Sequence, residues 1–272
     1  MFNSNPHPGR AILPDMTSGD TVPAIVFNDK HSQGTRARIT LGWGPPAPEA
    51  LSELGRWQGA EANCWTWLDN EIPQVRCFNG GKAIAFCGHG LLACAWFWRQ
   101  RGLAFTVVHS ESASYCVSGD QAQPQLHCAP ITCTAGGDIP RGWFNVPPVK
   151  SALAGDENGY RILCWPSGYD LASLQPNLSR IAMESTRSVI ATAAAAPGGD
   201  HQVSLRYFAP NHGNPEDSVT GSACVVLTDF WRFQRLTLRQ FSPRGGLVQT
   251  QRTPEAVILT GKVGIDACYT LL

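Results

Sequence analysis

Two short segments of this chain set residues that can move protons beside glycines that can hold an anion. One is Cys87-Gly88-His89-Gly90; the other runs from Asp217 to Thr220-Gly221-Ser222-Ala223. Each stands at the head of an apolar run, Leu91 to Trp98 and Ala223 to Leu227. A helix starting there offers free backbone N–H groups and the positive end of its dipole, which suits a carboxylate. Gly88 and Gly221 let the anion approach the backbone, and Gly90, Thr220 and Ser222 join them as substrate-binding candidates. His89 and Asp217 add groups able to carry a proton. A plainer role competes for each: Ser222 as a helix cap, His89 as a core histidine, Asp217 and Glu216 as turn residues before a helix, Cys87 as a buried spectator.

The elements behind these segments repeat. Gly88 to Arg99 aligns without a gap on Gly221 to Arg232, matching Gly88 with Gly221, Phe97 with Phe230, Trp98 with Trp231 and Arg99 with Arg232. Upstream, Val75-Arg-Cys-Phe78 resembles Leu205-Arg-Tyr-Phe208. Two matches in the same order point to duplication. Both helices are apolar on every face, so each is expected at a centre wrapped by strands. Strand-like runs surround them, among them Pro23 to Phe27, Cys64 to Leu68, Ala83 to Phe86 and Ala104 to His109. The reading is an α+β protein of two pseudo-symmetric halves, each a curved sheet or barrel around a central apolar helix. The polar stretch Val117 to Gln123 sets the expected boundary, with halves 1–117 (helix from Gly88) and 118–272 (helix from Gly221).

Bulk properties narrow the function. Lys plus Arg equals Asp plus Glu at 21 each among 272 residues, which argues against nucleic acid as a partner. No apolar run is long enough for a membrane span, and the N-terminus MFNSNPHPGR lacks the pattern of a secretion signal. The ten cysteines include no pair two residues apart. The nearest metal candidate, His127-Cys128 followed by Cys133, has no matching second pair, so no metal site is expected. The cysteines read as small hydrophobes in a reducing cytoplasm.

Arg206-Tyr-Phe-Ala-Pro210, Gly213, Pro215-Glu-Asp217 and Thr220-Gly-Ser-Ala223 together resemble the signature of the phenazine-biosynthesis PhzF-like family, and Phe86-Cys-Gly-His89 resembles its first-half motif. The resemblance implies a diaminopimelate epimerase-like fold and proton-shuttling isomerisation with no metal, flavin, nicotinamide or pyridoxal phosphate. It also implies a homodimer. By motif, His89, Asp217 and Ser222 correspond to the family's active-site His, Asp and Ser, and the backbone of Gly88, Gly221 and Ser222 to its carboxylate site. The sequence departs from the family where a Ser-Glu pair supplies the catalytic Glu. The corresponding stretch is Gly59-Ala-Glu-Ala-Asn-Cys-Trp-Thr-Trp67, where either Glu61 or Cys64 takes that place. The family's Gly-Asn-Pro-Ala opening is also missing.

The expected reaction is a proton shift on a small carboxylic acid bound between the halves. Glu61 serves as base, its pKa raised among Trp57, Trp65 and Trp67; these tryptophans also hint at a flat or cyclic ligand. Two alternatives stay open. One is a thiol-based racemase or epimerase using Cys64 or Cys87, although the second cysteine position of such enzymes is held here by Thr220. The other is an inactive module that only binds a small acid.

Overall fold

The computed structural model describes residues 16–267 apart from 57, 58, 80, 81 and 213. Trp57, Gly213, Cys268 and the N-terminal stretch read above lie outside the described residues. Four α-helices are present among those described: α1 (Pro48–Arg56), α2 (Gly88–Gln100), α3 (Leu178–Glu184) and α4 (Gly221–Trp231).

The all-apolar helices sit where their composition demands. In α2 every residue from Gly88 to Trp98 is buried, and in α4 every residue from Gly221 to Thr228. Strands of the first half and the returning strand Val263–Ile265 surround α2, while Cys133–Ala135, Arg235–Gln240, Gly246–Arg252 and Val257–Thr260 pack on α4. Such burial removes side chains worth about 1.5–3 kcal/mol each from water, which fixes the helices as the two centres of the core.

Strand pairing repeats as the sequence does. In the first half Thr35–Leu41 runs parallel to Ala62–Asp69, which pairs antiparallel with Ile72–Asn79, which runs parallel to Val107–His109. In the second half Tyr160–Cys164, Ser188–Ala194, Val203–Ala209 and Arg235–Gln240 pair in the same order and sense. The match extends to single atoms. Trp98 Nε1 donates to Thr66 Oγ1 at 2.8 Å, and Trp231 Nε1 donates to Thr192 Oγ1 at 3.1 Å. Each tryptophan meets the preceding phenylalanine edge-on, with centroids 5.2 Å apart for Phe97–Trp98 and 5.4 Å for Phe230–Trp231.

The halves also exchange strands. Pro124–Cys128 and Val257–Thr260 pair with one another. Beyond the first, Cys133–Ala135 joins Lys150–Ala154; beyond the second, Val263–Ile265 returns to Thr21–Val26. The expected boundary at 117/118 therefore falls inside the strand Ser114–Gly119, which forms a hairpin with Pro124–Cys128. The polar stretch there turns this hairpin, and the chain passes to the second half between Cys128 and Cys133. The strand expected over Ala83 to Phe86 is shortened to Lys82–Ala83, because the chain must turn there to enter α2.

Candidate functional site

The starts of α2 and α4 abut. A Cβ placed on Gly88 would lie 3.5 Å from the Gly221 Cα, and one on Gly221 would lie 3.6 Å from the Gly88 Cα. Neither helix has a side chain capping its N-cap residue, Cys87 or Thr220. Two sets of first-turn amides and two positive dipole ends thus converge on one cavity of about 370 Å³, lined by Gly88, His89, Thr220, Gly221 and Ser222. Ser222 is not the N-cap residue of α4; Thr220 holds that position, and Ser222 lines the cavity together with Tyr160.

Glu61 reaches the same cavity from the residue before the strand Ala62–Asp69. Its Oε1 accepts from Ser218 Oγ at 2.6 Å, and its Oε2 accepts from the Arg36 backbone N–H at 2.9 Å. The Glu61 N–H in turn donates to the Arg36 carbonyl at 3.2 Å, and Arg244 Nε stands 3.8 Å from Oε1. This polar cradle replaces the tryptophan surround expected from the sequence. Trp65 instead donates to the Gly44 carbonyl at 2.8 Å, and Trp67 lies under the Arg76 guanidinium at 5.4 Å. Neither is among the residues lining the cavity.

Asp217 is buried in the loop ahead of α4. Burial raises its carboxyl pKa to about 7, the Thr220 hydroxyl bonded at 2.6 Å opposes that rise, and the charge of Glu61 adds to it. The loop is held by a residue that sequence reasoning missed. Gln240 accepts from the Thr220 N–H at 2.8 Å and donates to the Asp217 carbonyl at 2.6 Å and to Ser242 Oγ at 3.1 Å. Its neighbour Glu216 faces elsewhere, held by Arg206 through bonds of 2.7 and 2.9 Å.

His89 is 6% exposed. Burial opposes its protonation, while the Cys87 sulfur and the Glu61 carboxylate favour it, and the balance raises its pKa above the ordinary value. Both its ring nitrogens lie 3.8 Å from Cys87 Sγ. Cys87 lines the cavity too, but the neighbouring Cys77 thiol and its burial push its own thiol well above the usual range.

Two of the candidates stand apart from the cavity. Cys64 is fully buried, its Sγ 3.3 Å from that of Cys77. Gly90 faces the same sulfurs: a Cβ there would meet Cys64 and Cys77 Sγ at 2.7 Å and Cys87 Sγ at 2.9 Å. Its lack of a side chain serves close packing rather than contact with a ligand.

The second half supplies a wall of which only Tyr207 lay within a motif read from the sequence. Tyr160 and Tyr207 lie with ring centroids 6.4 Å apart, and Ser188 lines the cavity with them. Burial raises both phenol pKa values, so they stay neutral and can donate. Tyr207 stands opposite Ile190 as Cys77 stands opposite Cys64, so it is the counterpart of Cys77 in the other half. Strand alternation alone indicated which faces point inward, and nothing in the spacing marked these three as cavity residues. Among the described residues no set of three or more His, Cys, Asp or Glu side chains is arranged to hold a metal ion, and no helix is long and apolar enough to cross a membrane.

Comparison with known proteins gives a consistent outcome. Residues 151–259 match the family model described as phenazine biosynthesis-like protein. An uncharacterized isomerase of Vibrio cholerae is 36% identical over 247 residues, spanning 85% of this chain and 82% of the relative. A PhzF-family structure from Enterococcus faecalis superposes with a TM-score of 0.79 at 20% identity, covering 91% of this chain and 98% of the other. A hydroxyproline epimerase of Agrobacterium vitis, solved with trans-4-hydroxy-L-proline, shares the fold at a TM-score of 0.59 and 12% identity, covering 90% of each chain.

Proposed function

This chain belongs to the phenazine biosynthesis-like (PhzF-like) family, and from that premise we propose that it is an isomerase moving a proton on a small carboxylic acid held between its halves. The observation that carries the reading is the convergence of Glu61, His89 and Asp217 on one cavity floored by the two helix starts. The substrate carboxylate sits against the first-turn amides of α2 and α4. Glu61 removes a proton from a neighbouring carbon, and negative charge develops toward the carboxylate. The fixed amides and dipole ends stabilise that charge, because they already point at it and need no reorganisation.

Asp217 supplies the complementary group. With its pKa at about 7 it is half-protonated near neutrality, the condition under which a group both gives and takes a proton. Glu61, hydrogen-bonded by Ser218 and the Arg36 amide, differs from it in environment, and such a contrast between two carboxyl groups separates the roles of acid and base. His89, which lines the same cavity and responds to Glu61, completes the proton path. Ser222, with Tyr160, orients the substrate against the second half.

The reading is supported over thiol chemistry by two facts. Cys64 is sealed from the cavity, and the position of α4 equivalent to Cys87 is Thr220. A panel of small carboxylic acids, screened by thermal shift and then by turnover, tests the proposal. Glu61→Gln should retain binding of the active acid and lose its turnover by about 10²–10⁴-fold. Equal turnover by wild type and variant would remove Glu61 from the mechanism, and binding with no turnover by either would leave a binding module.

A further inference from the structure

Beneath the first-turn residues of α2 the first half gathers four thiols that the proposed reaction does not use as acid or base. The sulfurs of Cys64, Cys77 and Cys87 crowd the space beside Gly90, and Cys94 is buried on the next turn of α2. Cys64 and Cys77 are in contact, with Sγ to Sγ at 3.3 Å.

Backbone geometry makes this pair special. Cys64 and Cys77 stand directly opposite on the antiparallel strands Ala62–Asp69 and Ile72–Asn79. The Cys77 carbonyl accepts from the Ile84 N–H at 2.8 Å, so its peptide groups face away from Cys64. The two therefore form a non-hydrogen-bonded pair, whose Cα atoms approach to about 4.5 Å. That spacing lies within disulfide range, roughly 4.4–6.8 Å. Both side chains point to the same face, toward α2.

We propose that Cys64 and Cys77 are a site of oxidative modification, closing into a cross-strand disulfide when the protein meets a hydroperoxide. Cys77 is the point of attack. It is 6% exposed against none for Cys64, and it lines a small cavity with Arg76, Ile84, Ser110 and Glu111. The Cys77 sulfur attacks the peroxide, the O–O bond breaks, and Cys77 sulfenic acid forms with release of the alcohol or water. Cys64 then attacks that sulfur, forming the S–S bond and expelling water. The two sulfurs are each oxidised by one electron and the peroxide is reduced by two. Burial holds these thiols in the protonated form, so closure is slow and needs sustained exposure to oxidant.

The test is independent of the isomerase reading because it requires no substrate. The full-length chain is treated with hydrogen peroxide, quenched, unfolded in N-ethylmaleimide and digested without reduction. Mass spectrometry should find one peptide pair joining Cys64 to Cys77, lighter than the sum of its parts by two hydrogens and separated by dithiothreitol. The pair should persist in Cys87→Ser and vanish in Cys64→Ser. Full alkylation of both cysteines in treated wild type, or a Cys77–Cys87 link in their place, would overturn the proposal. The wild-type and Cys87→Ser maps decide it even if Cys64→Ser does not fold.

Discussion

Glu61 in the first half and Ser218 in the second are joined across the cleft by a 2.6 Å hydrogen bond. The proposed base is thus aimed by a residue that lies 157 positions away in the chain. Removing this bond should reach chemistry before it reaches the fold, since the Arg36 amide still holds the other carboxylate oxygen. Ser218→Ala is expected to lower kcat about tenfold or more, in line with the roughly 1.5–3 kcal/mol of a hydrogen bond to a charged group. Steady-state kinetics with circular dichroism as a control checks this.

Asp217 makes stability depend on pH in a defined direction. It binds its proton more tightly in the folded chain, where its pKa is about 7, than at its ordinary value of 3.8. Its contribution to stability is thus greatest below pH 3.8 and is lost as pH rises to about 7. Asp217→Asn keeps an acceptor for Thr220 and removes the buried charge. Above pH 7 the variant should be more stable than wild type by on the order of 2–4 kcal/mol, an advantage that fades toward pH 4 in denaturant titrations. Its turnover should fall by about 10²–10⁴-fold at every pH.

Gln240 positions the Asp217–Thr220 loop with no contact to a reacting atom. Gln240→Leu leaves the Thr220 N–H and the Asp217 carbonyl without these partners, a cost of about 1–3 kcal/mol for each group left unsatisfied. A loosened loop shifts the proton equilibrium of Asp217 as well. The expected signature is a displaced pH–rate profile together with a raised KM, and an unmoved profile would reduce Gln240 to a structural role.

The duplicated Trp–Thr bonds predict duplicated costs. Thr66→Val strands the Trp98 indole N–H, which is buried, and Thr192→Val strands that of Trp231 at the half-buried end of α4. Chemical denaturation should show a loss of about 1–3 kcal/mol for Thr66→Val, and a loss of the same sign but smaller size for Thr192→Val.

Much of the fold was legible because the signal was redundant. Leu91 to Trp98 and Ala223 to Leu227 admit only buried helices, and the alignment of Phe97-Trp98-Arg99 on Phe230-Trp231-Arg232 predicts two similar halves. The glycines ahead of those helices mark the proposed anion site for the same reason. The boundary at 117/118 misread a hairpin turn as a linker, because a polar turn between strands and a polar linker share one composition. Trp65 and Trp67 drew attention as neighbours of Glu61 in sequence. However, a strand sends alternate side chains to opposite faces, and a residue just before it need not share their surroundings. Tyr160, Ser188 and Gln240 carried no legible signal, since each acts through a partner brought near only by the long-range pairing of strands.

The most direct test of the proton shift is hydrogen exchange at carbon. The active carboxylic acid is incubated with the enzyme in deuterated water, and the recovered substrate and product are read by NMR. The account predicts deuterium at the substrate carbon in wild type, none above background with Glu61→Gln, and binding of the acid by both. Turnover that moves no solvent hydrogen to carbon, or equal incorporation by Glu61→Gln, would contradict it.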